Sequence, residues 1–221
     1  MENKLGEQRD FCFDILRGLS RLSNSPFIAD IAEVVAKYPN PDLSIAFNHK
    51  QIESKLFLRD RLLETLGPTH ERIWIMAGWY GVLAAMLFDD PRFDIGSIVS
   101  FDINADCVPV AMTLNRRHVA AEKFEAQTHD IYELDYRSRQ SPNLIINTSC
   151  EHLHDVRGWL NLLEPGTPLV LQSNDYRREP DHLSCVDSIA DFERQARLST
   201  LLFSGTLAAK NYNRFMLIGR R

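Results

Sequence analysis

Hydrophobic residues recur at helical intervals in the first part of the chain. Phe11, Ile15, Leu16, Leu19 and Leu22 follow one such spacing, which Asn24-Ser25-Pro26 interrupts. Phe27, Ile31, Val34, Val35 and Tyr38 repeat it, up to Pro39-Asn40-Pro41. A third helix, starting at Ser44 or His49, carries Ile52, Leu56, Leu62, Leu63 and Leu66 on its apolar side. Gly67-Pro68 closes it. Beyond that point short apolar runs alternate with amphipathic segments. Strands are predicted at Arg72–Ala77, Ser97–Phe101, Lys123–Gln127, Asn143–Asn147 and Pro168–Gln172. Helices are predicted at Gly81–Phe88, Ala105–Val119, Asp155–Leu162 and Asp187–Leu198.

Strands that alternate with helices at this spacing build a parallel sheet covered on both faces. The chain ends differently, with two apolar runs, Thr200–Leu207 and Asn211–Gly219, joined by Ala208-Ala209-Lys210. That hairpin adds an antiparallel strand to a parallel sheet. The expected fold is α/β, a Rossmann-like doubly wound sheet over residues 67–221. Residues 1–66 are expected to form an N-terminal helical bundle that closes over the strand tips as a lid.

Composition narrows the partners. The 221 residues are 44% hydrophobic and 25% charged, with a net charge of −5. Lys and Arg are scattered, so no basic stripe for nucleic acid is expected. The apolar runs are strand-sized, so no membrane span is expected either. Met1–Phe11 has acids where a secretory signal has its apolar stretch. Cys12, Cys107, Cys150 and Cys185 form no C-x-x-C pair, so neither a disulfide scaffold nor a zinc site is expected, and no metal. Reduced thiols fit a cytoplasmic protein acting on a small molecule. Oligomeric state stays open.

In a doubly wound sheet the ligand lies outside the carboxyl ends of the strands, where strand order reverses. The first predicted strand runs into Ala77-Gly78-Trp79-Tyr80-Gly81, a turn whose glycines allow positive φ and close approach. The second ends in Asp102, about 25 residues past the turn, where a carboxylate can accept from both ribose hydroxyls. The third ends at Asp130 and Ile131, able to accept from an adenine amino group and to pack on its ring. The fourth ends in Asn147-Thr148-Ser149-Cys150-Glu151-His152, the fifth in Ser173-Asn174-Asp175-Tyr176.

Four such tips in order, followed by a terminal hairpin, resemble the class I S-adenosylmethionine (SAM) dependent methyltransferases, from about Glu71 to the C-terminus. The resemblance implies that Gly78 and Gly81 flank the amino-acid part of SAM, that Asp102 holds the ribose with Ile103 beside it, and that Asp130 and Ile131 meet the adenine. It places Trp79, Tyr80, Asn147 and Ser149 among the cofactor contacts. The chain departs from the family at the first turn: Met76 stands where an acid is usual, and Trp79-Tyr80 replace small residues. The fourth tip also lacks the Asn-Pro-Pro-aromatic pattern of base and amide N-methylating relatives.

The N-terminal helices, Gly78-Trp79-Tyr80-Gly81, Asn147-Thr148-Ser149 and Ser173-Asn174-Asp175-Tyr176 together look like the azetidine-2-carboxylate synthases, a methyltransferase-like group that acts on SAM itself. That likeness implies attack of the SAM α-amine on its own γ-carbon, with release of methylthioadenosine. The chemistry needs a bent, near-attack chain and a neutral amine. Asn147, Tyr176 or Ser204 are candidates to orient that amine and take its proton. Trp79, Tyr80 or Tyr176 could shield the sulfonium, or pack the first helix and a surface loop. Gln51, Lys55 and Arg59 share a helix face and either reach the SAM carboxylate or are solvated. His152 and His154 either act as a pair of bases or cap the next helix. Two alternatives remain open: methyl transfer to a small external acceptor, and a non-catalytic partner-binding module.

Overall fold

The computed structural model describes residues 2–38, 42–138 and 141–221, with side chains from Asp10 onward. The break expected at Pro39-Asn40-Pro41 lies outside the described residues. Four helices come first: α1 (Glu2–Ser23), α2 (Pro26–Lys37), α3 (Asp42–Ala46) and α4 (His49–Leu66). Ser25 caps α2, its Oγ accepting from the Ile28 amide at 3.3 Å, with Pro26 in the first turn. Asn48 caps α4 in the same way, at 3.0 Å from the Gln51 amide.

The alternating part then runs β1 (Thr69–Met76), α5 (Val82–Asp89), β2 (Asp94–Asp102), α6 (Cys107–Leu114), α7 (Arg116–Ala120), β3 (Phe124–Thr128) and β4 (Leu144–Asn147). It continues with α8 (Val156–Leu162), β5 (Pro168–Asn174), α9 (Ile189–Ala196), β6 (Thr200–Ala208) and β7 (Asn213–Arg220). The helix expected over Ala105–Val119 is two helices. Asn115, fully buried, leaves helical geometry, and its side-chain amide donates to the carbonyls of Gly81 and Ala111 at 3.1 and 3.0 Å.

The seven strands form one sheet in the order β3-β2-β1-β4-β5-β7-β6. β1 to β5 pair in parallel, and β7 inserts antiparallel between β5 and β6. This is the expected doubly wound α/β sheet, with its order reversing between β1 and β4.

Each sheet face has its own core. Leu58 and Leu62 of α4 join Leu83 and Leu87 of α5 against Ile73, Ile98, Ile146 and Val170. On the other face Trp159 and Leu160 of α8 and Phe192 of α9 pack against Trp74, Ile145 and Leu171. A third cluster joins Val34, Leu43 and Ala46 to α5 and α6 through Val82, Met86 and Val110. α4 is therefore part of the layer on the sheet, and only its first half reaches the strand tips where a lid was expected. The apolar side of α1 faces outward, with Phe11 66% and Leu22 85% exposed.

Candidate active site

The reversal point is framed by a turn held in an uncommon conformation. Ala77 and Trp79 both have φ of +49° without being glycine, a local cost of about 1–2 kcal/mol each that such turns keep at functional sites. The turn lets the Trp79 amide donate to Asp102 Oδ2 at 2.9 Å and the Gly78 amide donate to the Phe101 carbonyl at 2.9 Å. Its glycines are forced by neighbours. A Cβ on Gly78 would stand 2.0 Å from Ser100 Oγ. One on Gly81, whose φ is +69°, would stand 3.1 Å from the Ala111 Cβ.

Trp79 and Tyr80 stack on each other, with centroids 4.8 Å apart. Tyr80 is 4% exposed and belongs to the helical cluster with Val34 and Met86. For Tyr80 the packing role fits this placement, and a sulfonium contact does not.

Asp102 ends β2 with both carboxylate oxygens engaged by backbone, Oδ2 by Trp79 and Oδ1 by the Asn104 amide at 3.0 Å. Each oxygen keeps a further lone pair for an outside donor. Beside it Ile103 is 74% exposed, an apolar side chain standing free at a strand tip. Asp130 Oδ1 accepts from the Tyr132 amide at 2.9 Å. Ile131, expected on the adenine ring, is 7% exposed and lies in the core cluster with Met76, Phe101 and Tyr136. Ile103 is thus an exposed apolar group at these tips.

The tips of β4 and β5 carry buried polar atoms that lack internal partners. Asn147 is fully buried; its Oδ1 accepts from the Ser149 amide at 2.8 Å, and its Nδ2 has no partner among the described residues. Ser173 Oγ is buried and equally unpaired. Asn147 pairs in register with Leu171, so strand alternation puts Asn147 and Ser173 on one face. Buried donors left unsatisfied cost free energy, and a bound ligand is one way a protein meets them.

On the opposite face a polar network ties α4 to the tips. Ser54 Oγ donates to Gln172 Oε1 at 3.2 Å and accepts from Arg214 Nε at 3.2 Å. Arg214 Nη1 donates to Glu151 Oε1 at 2.5 Å, and Nη2 to the Thr148 carbonyl at 2.9 Å. Glu151 Oε1 also accepts from Asn174 Nδ2 at 2.6 Å. Lys55 lies beside this network. The side chain as a whole is half-buried, but its ammonium end sits in the interior and donates to Gln51 Oε1 at 2.8 Å. Burial, and then the Arg214 charge, push it down to about 7 from its ordinary 10.5. Arg59, expected on the same face, turns to Asp90 at 3.1 Å instead.

The other predicted residues divide. Tyr176 is half-buried; its amide donates to Asn174 Oδ1 at 2.9 Å, and its ring lies 5.8 Å from that of Tyr212. Ser204 does not join the site. It lies on the edge strand β6 opposite Leu217, three strands away from Asn147 of β4, and its Oγ donates to Glu193 of α9 at 2.5 Å. His152 and His154 do not pair: His152 Nδ1 meets Asp181 Oδ2 at 3.1 Å, and His154 packs 4.3 Å from Tyr132. Asp155 caps α8 in their place. Sequence reasoning missed Arg214 and Ser54. An arginine opening the otherwise apolar run Phe215–Ile218 was the available signal.

No family model and no curated protein sequence matches the chain. Solved structures do. The N-methyltransferase NodS from Bradyrhizobium japonicum WM9, in complex with S-adenosylhomocysteine, superposes with a TM-score of 0.60 at 14% identity. The match covers 86% of this chain and 98% of that one. A 1,6-didemethyltoxoflavin-N1-methyltransferase from Burkholderia thailandensis, also with S-adenosylhomocysteine bound, gives 0.57 at 15% identity over 76% and 78%. The cyclase SpnF gives 0.58 at 13% over 75% and 80%. The chain shares the seven-stranded α/β fold of these methyltransferase structures.

Proposed function

We propose that the crevice at the reversal of strand order binds SAM and that the protein closes SAM's aminobutyryl arm into azetidine-2-carboxylate. The observation that carries this reading is the pair of buried polar groups without partners among the described residues, Asn147 Nδ2 and Ser173 Oγ, one and two strands away from the turn that engages Asp102. In this reading Asp102 accepts from the ribose hydroxyls with its spare lone pairs, and exposed Ile103 offers an apolar surface for the base.

Ring closure forms one bond from the α-nitrogen to the γ-carbon and breaks the bond from that carbon to sulfur. The bonding pair leaves with sulfur as a neutral thioether, and one proton leaves the nitrogen. Lys55, beside the polar network at these tips, is suited to accept that proton, since a lysine held near 7 is largely unprotonated just above neutrality. Asn147 is no base: its free Nδ2 is a donor that would hold an acceptor oxygen of SAM, such as its carboxylate, and leave the amine lone pair for the attack. A second reading, methyl transfer to an added acceptor, draws support from the two structural neighbours that are N-methyltransferases with S-adenosylhomocysteine bound.

Chromatography of the nucleosides separates the two. Incubated with SAM and no acceptor, the purified chain should release methylthioadenosine and a cyclic imino acid in equal amounts. S-adenosylhomocysteine as the sole nucleoside product, formed only when an acceptor is added, would replace the first reading by the second.

A further inference from the structure

We infer that Glu151, His152 and His182 form a divalent-metal site that clasps the loop carrying Tyr176 to the turn after β4. A carboxylate oxygen of Glu151 and one ring nitrogen from each histidine lie within 4.8 Å of one another. The inference is independent of what the crevice binds.

Two features point to a ligand. Glu151 is 2% exposed, and while Oε1 serves Arg214 and Asn174, Oε2 has no hydrogen-bond partner among the described residues. A buried carboxylate oxygen without a donor is costly, and a cation beside it removes the cost. The second feature is the state of the two imidazoles. His182 Nδ1 meets the Tyr176 carbonyl oxygen, which can only accept, so Nδ1 carries the proton and Nε2 keeps its lone pair. His152 Nδ1 faces the Asp181 carboxylate at 3.1 Å, which fixes the same tautomer. A histidine whose far nitrogen donates to a carbonyl or a carboxylate is the arrangement that orients metal-ligating imidazoles. The rings stand 4.6 Å apart and nearly perpendicular, at 88°, so both can turn a nitrogen toward one point.

Two histidines and one carboxylate with a fourth position for water is a zinc donor set, and it also suits other first-row divalent ions. The absence of C-x-x-C spacing says nothing against it, because the ligands come from two separate loops. Closing the site would hold the His182 loop, and through the Tyr176 carbonyl the aromatic at the β5 tip, against the turn after β4.

The test uses the full-length chain, stripped with a chelator and titrated with Zn²⁺, and with Co²⁺ for its visible absorption. One equivalent should bind per chain, with Co²⁺ bands of a low-coordinate site and a rise in melting temperature. His152→Ala, an exposed position with little folding risk, should abolish stoichiometric uptake, as should His182→Ala. Asp181→Asn should weaken it about tenfold, and His154→Ala should leave it unchanged. No uptake by the wild type, or uptake equal in wild type and His152→Ala, would overturn the site. SAM binding measured on the stripped protein reports separately on the crevice.

Discussion

Replacing Lys55 by methionine tests whether an ammonium stands where this fold disfavours it. In the unfolded chain the lysine keeps its proton up to its ordinary 10.5, and in the folded protein only up to about 7. Between those values the unfolded state binds one proton more, so wild-type stability gains with rising pH. The gain approaches about 1.4 kcal/mol per pH unit and sums to about 2.3 kcal/mol from pH 7 to 9, since the folded lysine is half deprotonated at pH 7, and methionine cannot supply it. The variant should therefore be the more stable protein below pH 7, with its advantage shrinking steadily above. Urea unfolding of both proteins at pH 6, 7, 8 and 9, compared pairwise at each pH, cancels the other titrating groups. Curves that stay parallel within about 0.5 kcal/mol would refute the displaced titration. The same variant should lose about 10²-fold or more in kcat, the worth of a positioned base, with little change in SAM affinity.

Other substitutions follow from the same geometry. Asp102→Ala should weaken SAM binding in calorimetry by about 1–3 kcal/mol, the scale of hydrogen bonds to a charged group; unchanged affinity would remove Asp102 from the ribose. Asn147→Ala should lower kcat by about tenfold or more while SAM affinity changes much less, and an equal loss of both would mean it only binds. Ser204→Ala, on the edge strand, should leave turnover as it is in steady-state assays. Gly81→Ala should cost about 1–3 kcal/mol in denaturant unfolding, from the positive φ and the contact with α6; a loss below about 0.5 kcal/mol would contradict it.

Much of the scaffold was legible because its causes are local. Short continuous apolar runs such as Ile73–Met76 and Leu144–Ile146 marked the strands within a few residues, and Ser25-Pro26 and Gly67 punctuated the helices. The break at Asn115 was not legible, since it depends on a carbonyl far along the chain at Gly81. Asp102 could be read from its place after the second strand. The network of Ser54, Gln172 and Arg214 could not, because Ser54 lies 118 and 160 residues from its two partners. Ser204 misled for a related reason: Phe203-Ser204-Gly205 does not reveal that its strand lies at the sheet edge or that its register is opposite Leu217. Tyr80 was ambiguous because an aromatic after a glycine turn serves packing and ligand contact equally well until its neighbours are known. From the sequence Lys55 is either a contact to the SAM carboxylate or a solvated residue, since its displaced titration comes from burial beside Arg214 and not from any motif.

The central claim is a bond, and an isotope reports it directly. SAM carrying ¹⁵N at the α-amine and ¹³C at the γ-carbon, incubated with the purified chain alone, should yield a product whose NMR spectrum has a one-bond coupling between the two labels. Labels that end up uncoupled, in homoserine or in S-adenosylhomocysteine, would contradict ring closure.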